Sequence, residues 1–189
     1  MSASSSIQTV APTAPRTASA CFFSASLTPG SAYRPATPAL IGAGVAGLYA
    51  QSGVSEAERR QAEAILGAVG ATVWIEDEAL MDAVTAVSGS GPAYVFWFIE
   101  QLAAAGETLG LTKEISQKLA VETVLGSARL AAQSNDSPAA LRERVTSKGG
   151  TTEAALKAFE EQKLAERFLR AIEAARDRGA ELGARMDKD

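Results

Sequence analysis

The amino-acid sequence predicts a mainly α-helical protein in which a small strand–helix–strand unit precedes a set of helices. Three observations predict this class. Residues 1–33 show neither helical nor strand periodicity, whereas short apolar runs flank a capped helix between residues 38 and 77. After Asp77, every periodic segment repeats with helical spacing. No run reaches the length of about 18 apolar residues that a membrane span needs, so none is predicted.

The composition excludes several kinds of catalytic and metal site. The 189 residues carry 18 basic and 22 acidic side chains, with a formal net charge of −4, no histidine and one cysteine, Cys21. Without histidine the chain cannot form a Ser-His-Asp triad or a histidine metal site. A single cysteine excludes an intrachain disulfide and a cysteine-rich zinc site. Because the net charge is acidic, nucleic-acid binding is not expected either.

The first 33 residues are rich in serine, alanine, threonine and proline and contain no acidic residue. Such a segment buries too little apolar surface to offset the entropy of ordering it, which predicts a disordered leader. A serine-rich, acid-free start is also typical of a transit peptide. A misplaced translation start or a broken reading frame is a third interpretation. We expect a cytoplasmic protein, or an organellar one only if residues 1–33 are a transit peptide.

A strand–helix–strand unit is predicted between residues 38 and 77. Residues 39–50 are apolar and interrupted by glycine, which favours a strand. Ser55 followed three residues later by Glu58 is typical of a capping box at a helix start. Gly70 is expected to end that helix in a left-handed conformation, before a second strand over residues 71–75.

Helices are predicted over residues 91–109, 113–133 and 138–145, from near Thr151, and over 163–186. The signals for their ends are Gly110, a capping Thr112, and Ser137 followed by Pro138. Residues 94–99 are apolar on every side, which predicts that this segment is buried all round. The last helix carries an apolar stripe that could face either an internal core or a partner. Its members are Leu164, Phe168, Ile172, Ala175, Gly179, Leu182 and Met186.

Two glycine clusters have competing interpretations. Residues 42–47 spell GxGxxG, the pattern of a dinucleotide-binding turn, but the next helix is capped only at Ser55. Glycine packing within a strand is therefore favoured there. Residues 87–94 contain Ser-Gly-Ser-Gly-Pro and lead into a helix, so they could form either a tight turn or the lining of a ligand site.

The third cluster, residues 147–152, offers the strongest candidate site. It places Gly149 and Gly150 at the start of a helix, where free backbone N–H groups and the helix dipole attract an anion. The hydroxyls of Ser147, Thr151 and Thr152 add donors and acceptors. Since the lysine spacing of a P-loop is missing, a small carboxylate suits this cluster better than a nucleotide phosphate. An ordinary helix cap is the alternative.

Two long segments then identify a family that the chain resembles. Residues 83–94 (AVTAVSGSGPAY) and 141–152 (LRERVTSKGGTT) together resemble pyrroline-5-carboxylate reductase. The likeness runs from about residue 35 to 182 and is strongest over 79–159. This resemblance implies reduction of 1-pyrroline-5-carboxylate to L-proline, the last step of proline biosynthesis, with NADPH or NADH. It also implies an N-terminal Rossmann domain and a helical dimerisation domain, in homodimers that can assemble further into rings.

The resemblance also implies roles for individual residues. The loop would bind the substrate carboxylate through backbone N–H groups, with Thr152 bonded to the imine nitrogen as the catalytic residue. Arg144 stands near the family's cofactor region and is a candidate contact to the cofactor. The substrate-binding set is Val145, Ser147, Gly149, Gly150, Thr151 and Thr152.

The resemblance divides the chain into three regions. Residues 1–33 are the leader, residues 34–78 the end of a Rossmann domain, and residues 79–189 a dimerisation and substrate-binding domain. Most of the family's nucleotide-binding domain should precede Thr37, where this sequence resembles nothing in the family. The sequence therefore predicts a truncated reductase. The alternative is a non-catalytic oligomerisation module that pairs with full-length reductase subunits.

Overall fold

The computed structural model describes residues 18–21 and 38–186, and the chain divides into two compact units between Met81 and Asp82. Strands occur in the first unit, whereas every described element of the second is helical. This confirms the predicted class, a mainly helical chain with a small strand–helix–strand unit. No helix within the described ranges is long and apolar enough to cross a membrane.

The first unit is built on a parallel pair of strands. β2 (Gly44–Ala50) and β3 (Gly70–Trp74) are hydrogen-bonded in parallel, and helix α1 (Glu56–Gly67) connects them. Parallel strands need such a crossover, because a tight turn can join only antiparallel ones. The centre of β2 forms the core of this unit, with Leu48 only 1% exposed.

Helix α1 begins with the predicted capping box. The N–H of Glu58 donates to the Ser55 hydroxyl oxygen at 3.3 Å, and the N–H of Ser55 donates to the Glu58 carboxylate at 2.8 Å. Two hydrogen bonds from Ser55 lower the pKa of the Glu58 carboxyl below its usual value. The bond from the Ser55 hydroxyl has the larger effect and the bond from its backbone N–H the smaller. The ionised carboxylate therefore fits this helix start better than the neutral acid.

Two boundaries in this unit differ from the predictions. The strand predicted from residue 39 starts with a 3₁₀ turn, Pro38–Ile41, and extends only from Gly44. Gly70 is not the cap of α1, which ends at Gly67; it opens β3 instead. A Cβ atom on Gly70 would collide with the backbone of Gly44. Close approach of the two strands, rather than helix termination, therefore requires glycine at position 70.

A short strand lies inside the predicted leader. The backbone of β1 (Ala18–Cys21) pairs antiparallel with β2. The sequence showed no strand periodicity there, but ladder hydrogen bonds use backbone groups that nearly every residue carries. The rest of the leader, residues 1–17 and 22–33, lies outside the described residues, so its predicted disorder stays a prediction.

Helices make up the rest of the described chain. A 3₁₀ turn (Glu78–Leu80), helix α2 (Met81–Val84) and a π-helical turn (Thr85–Gly89) lead into α3 (Gly91–Thr108), α4 (Lys113–Gln133), α5 (Pro138–Arg144), α6 (Thr151–Glu161) and α7 (Leu164–Met186). From α3 onward the bounds agree with the predicted ones to within one residue. The short helical segments before α3 were not predicted.

The predicted helix-end signals from α3 to α5 are present. Thr112 caps α4, since its hydroxyl accepts from the N–H of Ile115, and Ser137 caps α5 by accepting from Ala140. Gly110 adopts a φ of +99° between α3 and α4, a conformation that favours glycine. These local signals define where each helix starts and stops.

Helices α3 and α4 pack closely through small residues. Ala103 on α3 and Ser116 and Ala120 on α4 are buried. A Cβ atom on Gly106 would lie 2.8 Å from Oγ and 3.1 Å from Cβ of Ser116. Glycine at position 106 therefore sets how closely the two helices approach.

We expect Gly106→Ala to destabilise the protein by about 1–3 kcal/mol, because the helices must move apart to admit the methyl group. Gly183→Ala in α7, where a Cβ atom meets nothing within 4 Å, is the matched control and should stabilise by about 0.5–1 kcal/mol through helix propensity. Urea denaturation measures both changes in unfolding free energy. Equal changes in the two variants would contradict the close contact.

The apolar face of α3 is exposed in the single chain, so the predicted burial of residues 94–99 would need a partner copy. Phe96 is 54% exposed and Trp97 57% exposed, and Val95 and Phe98 are also exposed. Helix α4 packs against α3. From α7, Phe168 meets Tyr94 of α3 edge to face, with ring centroids 6.4 Å apart.

Candidate functional site

The serine-glycine segment before α3 forms a π-helical turn. The N–H of Ser90 donates to the carbonyl of Thr85 at 2.9 Å, and the hydroxyl of Ser88 donates to the carbonyl of Val84 at 2.9 Å. The segment is thus a widened continuation of α2 rather than a tight turn, and such π-helical turns recur at functional sites. It packs against α7, as α6 also does. Both motif segments of the second unit are therefore supported by the same helix.

The glycine-containing loop before α6 is a hydrogen-bonded turn. The N–H of Gly150 donates to the carbonyl of Ser147 at 3.0 Å, and Gly149 adopts a φ of +74°. A positive φ at the third position of a four-residue turn is the mark of a type II turn, which favours glycine there. Gly150 is constrained differently, because a Cβ atom on it would lie 2.5 Å from the Ser147 hydroxyl oxygen. Gly149 is thus favoured by its backbone conformation, and Gly150 by the lack of space for a Cβ atom beside Ser147.

The turn leaves the start of α6 without a side-chain cap. Gly150 is the N-cap residue and no side chain accepts a hydrogen bond there. Backbone N–H groups of Thr151, Thr152 and Glu153 form the first turn of α6, where no intrahelical acceptor is available. Their dipoles point out of the helix end, which is the arrangement that binds a small anion.

Glu153 is a residue of this loop that the sequence analysis missed. Its carboxylate oxygen Oε2 accepts a hydrogen bond from the N–H of Gly149 at 2.6 Å. Glu153 is the third residue of α6, the position from which an acidic side chain commonly reaches back to a backbone N–H before the helix. That spacing after an N-cap glycine could have identified it from the sequence.

The predicted substrate-binding residues lie next to one another along this loop. Val145 directly follows α5 and is 65% exposed, while Ser147, Gly149 and Thr151 are also exposed in the single chain. Thr152 and Gly150 are half-buried. In residues 38–186 the Thr152 hydroxyl has no hydrogen-bond partner, so it is available to a ligand.

Arg144, the candidate cofactor contact, pairs with an acidic residue of its own chain. Its guanidinium lies 2.5 Å from the carboxylate of Asp136, and Asp136 is also bonded to Ser134. This ion pair joins the end of α5 to the segment that precedes it. A phosphate group would have to compete with Asp136 for the same guanidinium.

Residues 42–47 do not form a dinucleotide-binding turn. In a dinucleotide-binding turn the glycines follow a strand and open a helix, but here residues 42–47 lead into β2 and α1 begins only at Glu56. The space where a Cβ atom of Gly44 would lie is filled by the carbonyl of Val69, at 2.9 Å. These glycines therefore serve strand packing, and no pyrophosphate cradle is formed. No group of three metal-ligating side chains occurs in the part of the chain that the structure describes.

An apolar groove of about 1450 Å³ lies among helices α3 to α7. Its aromatic lining consists of Tyr94, Trp97, Phe98, Phe159 and Phe168. At one end the groove is bordered by Val145, Thr146 and Glu153 of the loop region. The groove thus reaches residues on both sides of the candidate loop.

Comparison with known proteins relates these features to one family. The model of the pyrroline-5-carboxylate reductase dimerisation family matches residues 78–182, which include the loop. Pyrroline-5-carboxylate reductase of Pseudomonas aeruginosa is 49% identical over 152 residues, which cover 80% of this chain and 56% of that protein. The Synechocystis enzyme is 45% identical over 149 residues, 79% of this chain and 55% of the other.

Solved structures agree with these relatives. A pyrroline-5-carboxylate reductase from Coxiella burnetii superposes with a TM-score of 0.75 at 45% identity, covering 77% of this chain and 54% of that one. The Plasmodium falciparum enzyme, crystallised with NADP bound, has a TM-score of 0.71 at 32% identity and covers 77% and 58%. The present chain spans about half the length of the curated relatives it matches.

Proposed function

The chain belongs to the pyrroline-5-carboxylate reductase family, and on that premise we propose that it acts in reducing 1-pyrroline-5-carboxylate to L-proline, the last step of proline biosynthesis. The observation that carries this proposal is the loop of residues 147–152. It presents backbone donors at the start of α6 with no side-chain cap, next to a free threonine hydroxyl. A cyclic imine with a carboxylate beside its nitrogen matches these two features.

The loop residues would bind the substrate at both of its polar ends. The N–H groups at the start of α6 would hold the carboxylate, as the helix dipole favours negative charge there. Thr152, on the first turn of α6, would donate its hydroxyl hydrogen to the imine nitrogen. As hydride adds to the imine carbon, electron density grows on that nitrogen, so the hydrogen bond strengthens in the transition state.

We propose that NADPH or NADH supplies the hydride, as the family resemblance implies. Residues 42–47 form no dinucleotide cradle, and Arg144 is engaged by Asp136. The cofactor would therefore be bound elsewhere on this chain or by another subunit. What this part of the chain contributes is the binding and orientation of the substrate.

We propose that the second unit pairs with a partner copy through its apolar surface, in a homodimer that interlocks by helices and can assemble further into rings. The exposed face of α3 and the aromatic groove form a larger apolar surface than a monomer in water usually leaves open. Covering this surface would also bring a partner close to the loop, since Glu153 borders the same groove.

Membership in this family also divides the chain into regions. We propose that residues 34–78 are the end of a Rossmann domain and residues 79–189 the dimerisation and substrate-binding domain. The division of the chain between Met81 and Asp82 supports this boundary. The cytoplasm is the proposed compartment.

A second candidate function is a non-catalytic oligomerisation module that inserts into dimers of full-length reductase. The observations that favour it are the exposed aromatic surface of α3 and the absence of a dinucleotide cradle at residues 42–47. Such a module would suppress rather than supply activity when it is mixed with full-length subunits.

Oxidation of NADPH, followed at 340 nm with pyrroline-5-carboxylate and the purified chain, separates the two candidates. Turnover by the chain alone supports the reductase and excludes the non-catalytic module. If a folded, dimeric sample shows no turnover, full-length reductase is added. A gain in activity above the added enzyme supports a shared site, whereas a loss supports the module.

A further inference from the structure

Strand β2 lies in the middle of the three-stranded sheet of the first unit, between β1 and β3. The parallel strand β3 pairs with one edge of β2, and the leader strand β1 pairs with the other edge in antiparallel orientation. In this register Ala18 lies opposite Ala50 and Cys21 opposite Gly47. The leader thus covers the edge formed by the last four residues of β2. Among the described residues, no other strand pairs with this edge.

This edge of β2 lacks the features that usually keep a sheet edge from pairing with another chain. Natural edge strands are protected by charged side chains, proline or a bulge. The sequence of β2, GVAGLYA, contains neither a charged residue nor proline. Its pairing with β3 advances one residue at a time, without a bulge, and Ala46 and Leu48 at its centre are buried. Without β1 the sheet would consist of two strands, which are marginally stable in water.

We infer that the leader contributes an internal edge strand, which completes this sheet and keeps the β2 edge from pairing with a strand of another chain. An extended segment can add to a sheet edge through main-chain hydrogen bonds, so a leader without strand periodicity suffices. The connection to the next described element spans residues 22–37, and the entropic cost of closing such a loop grows only slowly with its length. Removal of the leader, as happens to a transit peptide, would open this edge. The inference does not depend on the proposed reaction.

The test introduces proline at both central positions of β1 in the full chain, as Ser19→Pro with Ala20→Pro. Successive residues of an antiparallel strand direct their N–H groups to opposite sides, so one of the two prolines removes a donor that faces β2. The matched control is Ser2→Pro with Ala3→Pro, the same pair of residues outside the strand. At least one backbone amide of residues 47–50 should exchange hydrogen about tenfold or more faster in the β1 variant. The amides of α1 should keep their parent rates, and the control should match the parent chain throughout.

A peptide of residues 16–23 provides the second readout. It should bind the β1 variant and restore slow exchange at residues 47–50, and it should bind the parent chain about tenfold or more weakly, because β1 already occupies the edge there. Unchanged exchange at residues 47–50 in the β1 variant, or equal peptide binding by the two chains, would overturn the inference.

The parent chain alone decides the matter if the β1 variant also loses the protection of α1. At least one amide of residues 18–21 should then exchange about tenfold or more slowly in the parent chain than in the free peptide, since a paired strand protects its N–H groups. Equal rates in the parent chain and the peptide would show that β1 does not hold the edge, and would overturn the inference.

Discussion

The variant Trp97→Asp is expected to be monomeric at micromolar concentration, where we expect the parent chain to be dimeric. Trp97 is 57% exposed in the single chain and lines the aromatic groove. An aspartate there would lose apolar burial in the dimer and place an unpaired charge in the interface, at a cost of about 3–5 kcal/mol. The dimer dissociation constant should therefore rise by roughly 100-fold or more. Light scattering measures the mass directly.

The control for this variant must separate loss of the interface from loss of the fold. Gln117→Asp adds the same charge at an exposed position of α4 that does not line the groove, and it should stay dimeric. Helical circular dichroism of Trp97→Asp should match the parent chain, because the side chain is already half in solvent. A monomeric parent chain, or a dimeric Trp97→Asp, would show that this surface is not the interface.

Replacing Thr152 by alanine is expected to lower the turnover number of the reductase by about 10- to 100-fold, with a smaller effect on the apparent affinity for NADPH. The hydroxyl would donate to a nitrogen that gains electron density only as hydride arrives, so its loss acts mainly on the transition state. Steady-state kinetics of NADPH oxidation, in the chain alone or with full-length subunits, separates the two parameters.

Two neighbouring variants make this measurement specific. Thr152→Ser retains the hydroxyl and should recover most of the turnover, whereas Thr151→Ala removes the adjacent, exposed hydroxyl and should cost less. Since neither threonine is a helix cap by its side chain, both alanine variants should fold. An unchanged turnover number in Thr152→Ala would remove this residue from the chemical step.

One groove reaches from the aromatic face of α3 to Glu153, so the proposed interface and the proposed substrate loop are close together. If dimerisation completes the site, Trp97→Asp should also lower L-proline binding, although residue 97 lies outside the loop. Trp97→Asp thus tests the aromatic part of the groove, and Thr152→Ala tests the loop beside it.

The locally encoded parts of the fold were predicted well. Helix ends at Ser55, Thr112 and Ser137 follow from short-range hydrogen bonds between a side chain and a backbone N–H three residues on. The glycine turn before α6 was likewise identified from its residues, and its positive φ at Gly149 agrees with that reading. Such features depend on neighbours along the chain, so the sequence contains all of the relevant atoms.

Other features depended on residues far apart. The need for glycine at position 70 comes from the backbone of Gly44 across the sheet, and the need at position 106 comes from Ser116 on the next helix. Neither contact is visible in a periodic pattern, because each depends on how two elements approach.

The sequence by itself determined the family, the order of the helices and the location of the candidate loop, since all three are carried by local motifs. Only the tertiary structure showed how far individual side chains of α3, such as Phe96 and Trp97, are exposed in one chain, and that Glu153 accepts from the N–H of Gly149. The physical reason is that amphipathic patterns report which residues avoid water, but not which molecule covers them. Likewise, backbone N–H groups without partners at a helix start indicate that an acceptor is needed. Only the folded chain shows that the Glu153 carboxylate already accepts from one N–H of this loop.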